Sequence, residues 1–71
     1  MNLTEIEKAV LLCLADGMQS KEIAACIGRS KPTVEGYIRI LYIKMNARSR
    51  AHLVAIAMRT ASIGLPLEEP T

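Results

Sequence analysis

Apolar residues recur along this chain at helical spacing and never alternate for long enough to make a strand. Ile6, Ala9, Val10, Cys13 and Leu14 form a first stripe, and Ile23, Ala24 and Ile27 form a second. Val34, Ile38, Leu41 and Met45 fall on one line at about 100° per residue and make a third. Punctuation between the stripes sets the ends. Thr4, with Glu7 three residues later, forms a capping box and starts a helix near Glu5, which Asp16-Gly17 stops in the left-handed conformation. Ser20 is expected to cap a two-turn helix that leaves sharply at Gly28. Ser30 caps the next, with Pro32 in the first turn, where a missing N–H does no harm. Ser49 caps a fourth segment, which Gly64 and Pro66 end. The pattern predicts an all-α chain with helices over about 5–16, 21–27, 31–45 and 50–62. They form one domain over 1–64, followed by a frayed tail over 65–71. Within it, 20–39 reads as two helices joined by a short glycine-containing turn, the helix-turn-helix pattern.

The fourth segment is apolar nearly all round. Ala51, Val54, Ala55 and Met58 make one stripe, and Leu53, Ile56 and Ala57 occupy the other side, leaving mainly His52, Arg59 and Thr60 polar. In a small domain only one side meets the core. The expectation is that the first stripe does so and that Leu53, Ile56, Ala57 and Thr60 face a second copy of the chain; the alternative is a greasy surface helix.

Composition narrows the classes. Seventy-one residues with no Trp or Phe bury a small core, which favours self-association. Cys13 and Cys26 lie inside apolar helical patterns and read as reduced, buried hydrophobes rather than a redox switch. The chain shows no signal peptide and no apolar run near the ~20 residues that span a bilayer, so the expected location is the cytoplasm, with no membrane partner. One histidine, His52, without a paired nucleophile or metal-ligand spacing, argues against an enzyme, and nothing calls for a cofactor. A net charge of +2 does not imply nucleic acid, so the distribution of charge has to decide.

Several spaced blocks in one order carry a resemblance. They are Leu3-Thr4 with Glu7, Val10-Leu11, Leu14-Ala15-Asp16-Gly17 and Ser20-Lys21-Glu22-Ile23-Ala24, then Ser30, Thr33-Val34, Tyr37, Lys44-Met45, Ser49-Arg50 and Ala57. Over residues 3 to about 58 the chain resembles the LuxR/GerE-type helix-turn-helix family of bacterial transcription factors. The resemblance implies a four-helix DNA-binding domain whose third helix enters the major groove and whose fourth commonly forms the dimer contact. The chain departs from the family at Ile6, where Arg is usual, and at Arg29, where an aliphatic residue is usual. It departs again at Glu35, where Lys is common although a Glu-bearing subgroup exists. Most members carry a receiver or ligand-binding domain ahead of this unit, and this one is expected to stand alone.

DNA recognition divides the polar residues by task, because phosphates set register and base edges carry sequence. Lys21, Thr33, Tyr37, Lys44, Arg48 and Arg50 are the expected phosphate contacts, with backbone N–H groups at the starts of the second and third helices. Lys31, Glu35 and Arg39 are the expected base readers, and Gly36 lets the backbone approach the groove. Glu35 has a second reading as an ion-pair partner of Arg39 one turn on. Ile40 and Ile43 are apolar on the outer side and stay open between a thymine methyl, a protein partner and water. The expected protein is a sequence-specific, homodimeric regulator of transcription that binds double-stranded DNA. The alternative is an interaction module that pairs with another LuxR-type regulator or with RNA polymerase and lacks strong DNA binding of its own.

Overall fold

The computed structural model describes the backbone of residues 3–63 and the side chains of residues 3–61. It contains four helices: α1 (Glu5–Ala15), α2 (Ser20–Ile27), α3 (Lys31–Met45) and α4 (Arg50–Ile63), with no strand among the described residues. The expected stop at Gly64 and Pro66, and the tail, lie outside the described residues.

α1, α3 and α4 each start on a side chain that accepts an N–H of the first turn. Thr4 Oγ1 accepts from Glu7 N–H at 3.2 Å, and the Glu7 carboxylate accepts from Thr4 N–H at 2.9 Å, completing the capping box. Ser30 Oγ accepts from Thr33 N–H at 3.3 Å and Ser49 Oγ from His52 N–H at 3.1 Å. At α2 the expectation shifts by one residue. Gln19 is the cap, Glu22 reaches back to accept its N–H at 2.8 Å, and Ser20 is the first helical residue and buried.

Three helices end by one device. A left-handed residue, Gly17 (φ 80°), Gly28 (φ 70°) or Asn46 (φ 54°), turns the chain. The next N–H then returns to a carbonyl five residues back: Met18 to Cys13, Arg29 to Ala24 and Ala47 to Tyr42, at 2.9–3.1 Å. Glycine reaches this conformation without strain, and Asn is among the side chains that tolerate it.

The core is Val10, Leu11, Leu14, Ile23, Ala24, Val34, Ile38, Leu41, Leu53 and Ala57. The α3 ridge is as expected, with Val34, Ile38 and Leu41 buried and Met45 packed at its margin. On α1 the buried face is rotated from the expected stripe. It is centred on Glu7, Val10, Leu11 and Leu14, while Ile6, Ala9 and Cys13 are half-buried. Glu7 can sit there because its carboxylate is doubly satisfied, by Thr4 N–H and by the Lys44 ammonium at 2.7 Å. Cys26 corrects a second expectation. It is exposed, because Ile23 and Ile27 define the inner edge of α2 and Cys26 lies off it; both thiols are free.

The largest correction concerns α4. Leu53 is 0% exposed and Ala57 1%, both in the domain's own core. Ile56 and Thr60 are half-buried, and Thr60 Oγ1 donates to the Ile56 carbonyl at 2.8 Å. These four residues therefore do not form an outward association face. The outward side is the stripe expected inside: Ala51, Ala55 and Met58 are exposed and Val54 is half-buried. α1 packs along α4, and α3 lies against both α2 and α1, with its outer side bare.

Candidate nucleic-acid interface

Seven of the nine Lys and Arg residues fall between residues 21 and 50, where Glu22 and Glu35 are the only acidic residues. Six of these cations are exposed, and four of them, Lys21, Lys31, Arg39 and Arg50, line grooves beside α3. An open groove of about 550 Å³ runs between the starts of α2, α3 and α4, lined by Lys21, Lys31, Glu35 and Arg50 beside Met18 and Val54. A smaller one, about 260 Å³, continues along α3 past Glu35, Arg39, Tyr42 and Arg50. Four expected contacts, from three separate helices, thus share one concavity. Their convergence is a property of the packing.

Lys21, Lys31, Glu35, Arg39, Arg48 and Arg50 are all exposed. The Glu35–Arg39 ion pair does not form, and none of these cations takes an acidic partner among the described residues. Unpaired surface cations keep their full charge for an anionic ligand. Arg29, in the turn, is exposed as well. Thr33 is exposed and its Oγ1 accepts from Ser30 Oγ at 2.9 Å, while Tyr37 is half-buried against the core. The helix start that holds Thr33 is therefore pinned by its own cap.

Lys44 stands apart from the other expected phosphate contacts. Its ammonium lies on Glu7, whose carboxyl is held below the usual 4.5, chiefly by the hydrogen bond from Lys44 and then by Thr4 N–H, with burial opposing. The pair ties the last turn of α3 to the first turn of α1. Lys44 thus positions the helix rather than extending the open basic surface, and the sequence signal for this was Glu7 itself, a carboxylate at core spacing.

Gly36 sits in mid-α3, where glycine is less stable than alanine by about 1 kcal/mol. A methyl added there would meet nothing within 4 Å. Internal packing does not require this glycine, and the bare backbone faces out of the domain. At the start of α4, His52 Nδ1 accepts from Arg48 N–H at 2.9 Å and orders the loop that carries Arg48 and leads into Arg50, the first residue of α4. His52 and Tyr42 carry no signal of DNA contact in the sequence, although the position of His52, three residues after a Ser cap, marks it as part of the helix start. Among the described residues, no helix is long and apolar enough to cross a membrane, and no three His, Cys, Asp or Glu side chains come together to hold a metal.

The chain is 44% identical over 57 residues to the transcriptional regulatory protein YdfI of Bacillus subtilis, covering 80% of this chain and 27% of that protein. It is 48% identical over 48 residues to the nitrate/nitrite response regulator protein NarP of Escherichia coli, covering 68% and 22%. It is 41% identical over 56 residues to the transcriptional regulatory protein FixJ of Azorhizobium caulinodans, covering 79% and 26%. The chain thus spans about a quarter of the length of these relatives. No solved structure matches it significantly. The family model for GerE, bacterial regulatory proteins of the luxR family, matches residues 1–57. With that match over most of its length, and with four helices that place the shared blocks on one helix-turn-helix unit, the chain belongs to the luxR family of bacterial regulatory proteins.

Proposed function

We propose that this chain is a sequence-specific DNA-binding regulator of transcription that lays the outer face of α3 in the major groove. One observation carries the reading: Lys21, Lys31, Arg39 and Arg50 converge from three helices on two adjoining exposed grooves and are not neutralised by described acidic groups. In this role Lys21, Arg48 and Arg50, with Thr33 and Tyr37, hold the phosphates. Lys31, Glu35 and Arg39 reach base edges, Arg39 suiting guanine O6 and N7 and Glu35 accepting from cytosine N4. Such a protein works as a binder rather than an enzyme, in the cytoplasm where bacterial DNA lies.

The proposal includes a homodimer joined through the outward stripe of α4, Ala51, Val54, Ala55 and Met58. Two small side chains there let a second helix come close, and Met58 supplies apolar area. Two recognition helices would then meet half-sites about one helical turn apart.

Selection of bound sequences from a random DNA pool at fixed salt, with the oligomeric state measured alongside, tests this reading. Arg39→Ala should relax preference at one position by about 1–3 kcal/mol, and Lys21→Ala should weaken every site alike and flatten the salt dependence by about one unit of slope. Absence of salt-dependent binding to any sequence would overturn the proposal. The exposed Glu35, which repels phosphate, favours one second reading, a module that pairs with a LuxR-type regulator or RNA polymerase. Stable capture of such a partner by a chain without DNA affinity would select it.

A further inference from the structure

Cys13 and Cys26 occupy the same edge of their respective helices. Cys13 lies three residues after the buried Val10 and just before the buried Leu14; Cys26 lies three residues after the buried Ile23 and just before Ile27, which packs on the core. Residues three apart are neighbours on a helix surface, so each thiol stands at the rim of an inward face. α1 and α2 pack on one another through those faces, and the two thiols come side by side across the seam. They are not equivalent. Cys13 is half-buried against the core, Cys26 is exposed, and both are free. Burial pushes the Cys13 thiol up, and the neighbouring Cys26 and Asp16 raise it further.

We infer that Cys13 and Cys26 form a redox-modification site, which hydrogen peroxide converts to one intramolecular disulfide that fastens α2 to α1 and which a small thiol reopens. The exposed Cys26 meets the oxidant first. Its sulfur takes one oxygen from the peroxide to become a sulfenic acid, and the rest of the peroxide leaves as water. The Cys13 sulfur then attacks the Cys26 sulfur; its proton departs with the hydroxyl as a second water, and an S–S bond of about 2.05 Å closes. Two thiols have given up two electrons and one peroxide has accepted them. Two equivalents of a small thiol reverse the step by exchange, restoring both S–H groups and leaving the small thiol as its own disulfide.

The bond closes the unit of α1, the Gly17 turn and α2 at its open end. α2 has only eight residues and draws its order from packing rather than from its own hydrogen bonds, so a covalent tie to α1 acts where the domain has least to hold it. Disulfides of proteins that work among cellular thiols are mostly transient and redox-sensing, and an exposed thiol beside a shielded one suits that use. The site is independent of DNA binding.

The test treats the full chain, at low micromolar concentration, with a few equivalents of hydrogen peroxide and then digests it with trypsin. Cleavage after Lys8, Lys21 and Arg29 puts the two cysteines on separate peptides, 9–21 and 22–29. Without reduction these should appear as one cross-linked species, two hydrogens lighter than their sum, from a chain that forms no disulfide-linked dimer. Both cysteines should resist alkylation and recover it with dithiothreitol. The oxidised chain should melt about 10 °C above the reduced one, because the closed loop restricts the unfolded state. Cys26→Ser, at an exposed position, should keep the melt of the reduced chain and lose both the cross-link and the rise. Cys13→Ala should leave Cys26 as a sulfenic acid that dimedone traps. Disulfide-linked dimers in place of the internal bond, cysteines oxidised separately without a cross-link, or a melting temperature that does not rise would overturn the inference.

Discussion

α3 and α4 are almost the same length, 15 and 14 residues, yet their two faces differ in how they are set. On α3 the polar residues gather on one half, so only one rotation of the helix keeps Glu35 and Arg39 in water and Val34, Ile38 and Leu41 dry. On α4 both halves are apolar, and either rotation would satisfy a rule based on polarity alone. Side-chain size breaks the tie. Burying Leu53 removes far more apolar surface than burying Ala51 or Ala55, at about 25 cal/mol per Å². Ala51 and Ala55 are left outside with Met58, in the stripe of the proposed dimer contact. Where polarity is silent, Leu53 sets the side that goes in, and Ala57 follows it one turn on.

The sharpest way to break this comparison is to truncate each side of α4 in turn. Leu53→Ala should cost about 2–5 kcal/mol in a urea or thermal melt, a large fraction of what so small a domain possesses. Met58→Ala should move the monomer's stability by less than about 0.5 kcal/mol. Equal effects, or the reverse order, would return α4 to the opposite rotation. In the proposed dimer, Met58→Asp should shift association without unfolding the domain.

A smaller effect is expected where α3 is tethered to α1. Glu7→Gln removes the charge that meets Lys44 and should destabilise the domain by about 1–3 kcal/mol. The pH dependence follows from the lowered carboxyl of Glu7. Since the folded group binds its proton less readily than the unfolded one, its stabilisation is fully present above the ordinary value of 4.5. It is lost as pH falls through the lower folded value. The wild-type melting temperature should therefore drop more steeply than that of Glu7→Gln below pH 4.5. Parallel curves would show that the pair does not hold α3 in place.

The smallest effect separates stability from function on the outer face of α3. Gly36→Ala should stabilise the helix by about 0.5–1 kcal/mol, because alanine loses less backbone freedom and the added methyl meets nothing. The same methyl should weaken DNA binding if the backbone must lie close to the groove. A variant more stable and equally tight would show that Gly36 does not serve approach.

The helices themselves were legible because their punctuation is local. Thr4 with Glu7, Ser30 and Ser49 at starts, and Gly17 and Gly28 at ends, act through hydrogen bonds and backbone angles within a few residues. Lys21, Lys31, Glu35 and Arg39 could be picked out for the same reason, since each lies on the wet side of a well-marked amphipathic helix. Glu7, Lys44, Cys26 and Leu53 were not legible in this way. The charge of Glu7 masks it as a core position, and its burial depends on an ammonium 37 residues away. Residue type alone places Cys26 in the core, and the register of α2 leaves it outside.

The sequence by itself determined the four helices, their caps, the glycine turn and the polar half of α3, because these depend on interactions between near neighbours. The tertiary structure alone decided which side of α4 is buried, that Lys44 is held by Glu7, and that cations from three helices share one groove. These outcomes depend on how much surface each packing removes from water and on charges brought together across the chain, quantities that no short stretch of it contains.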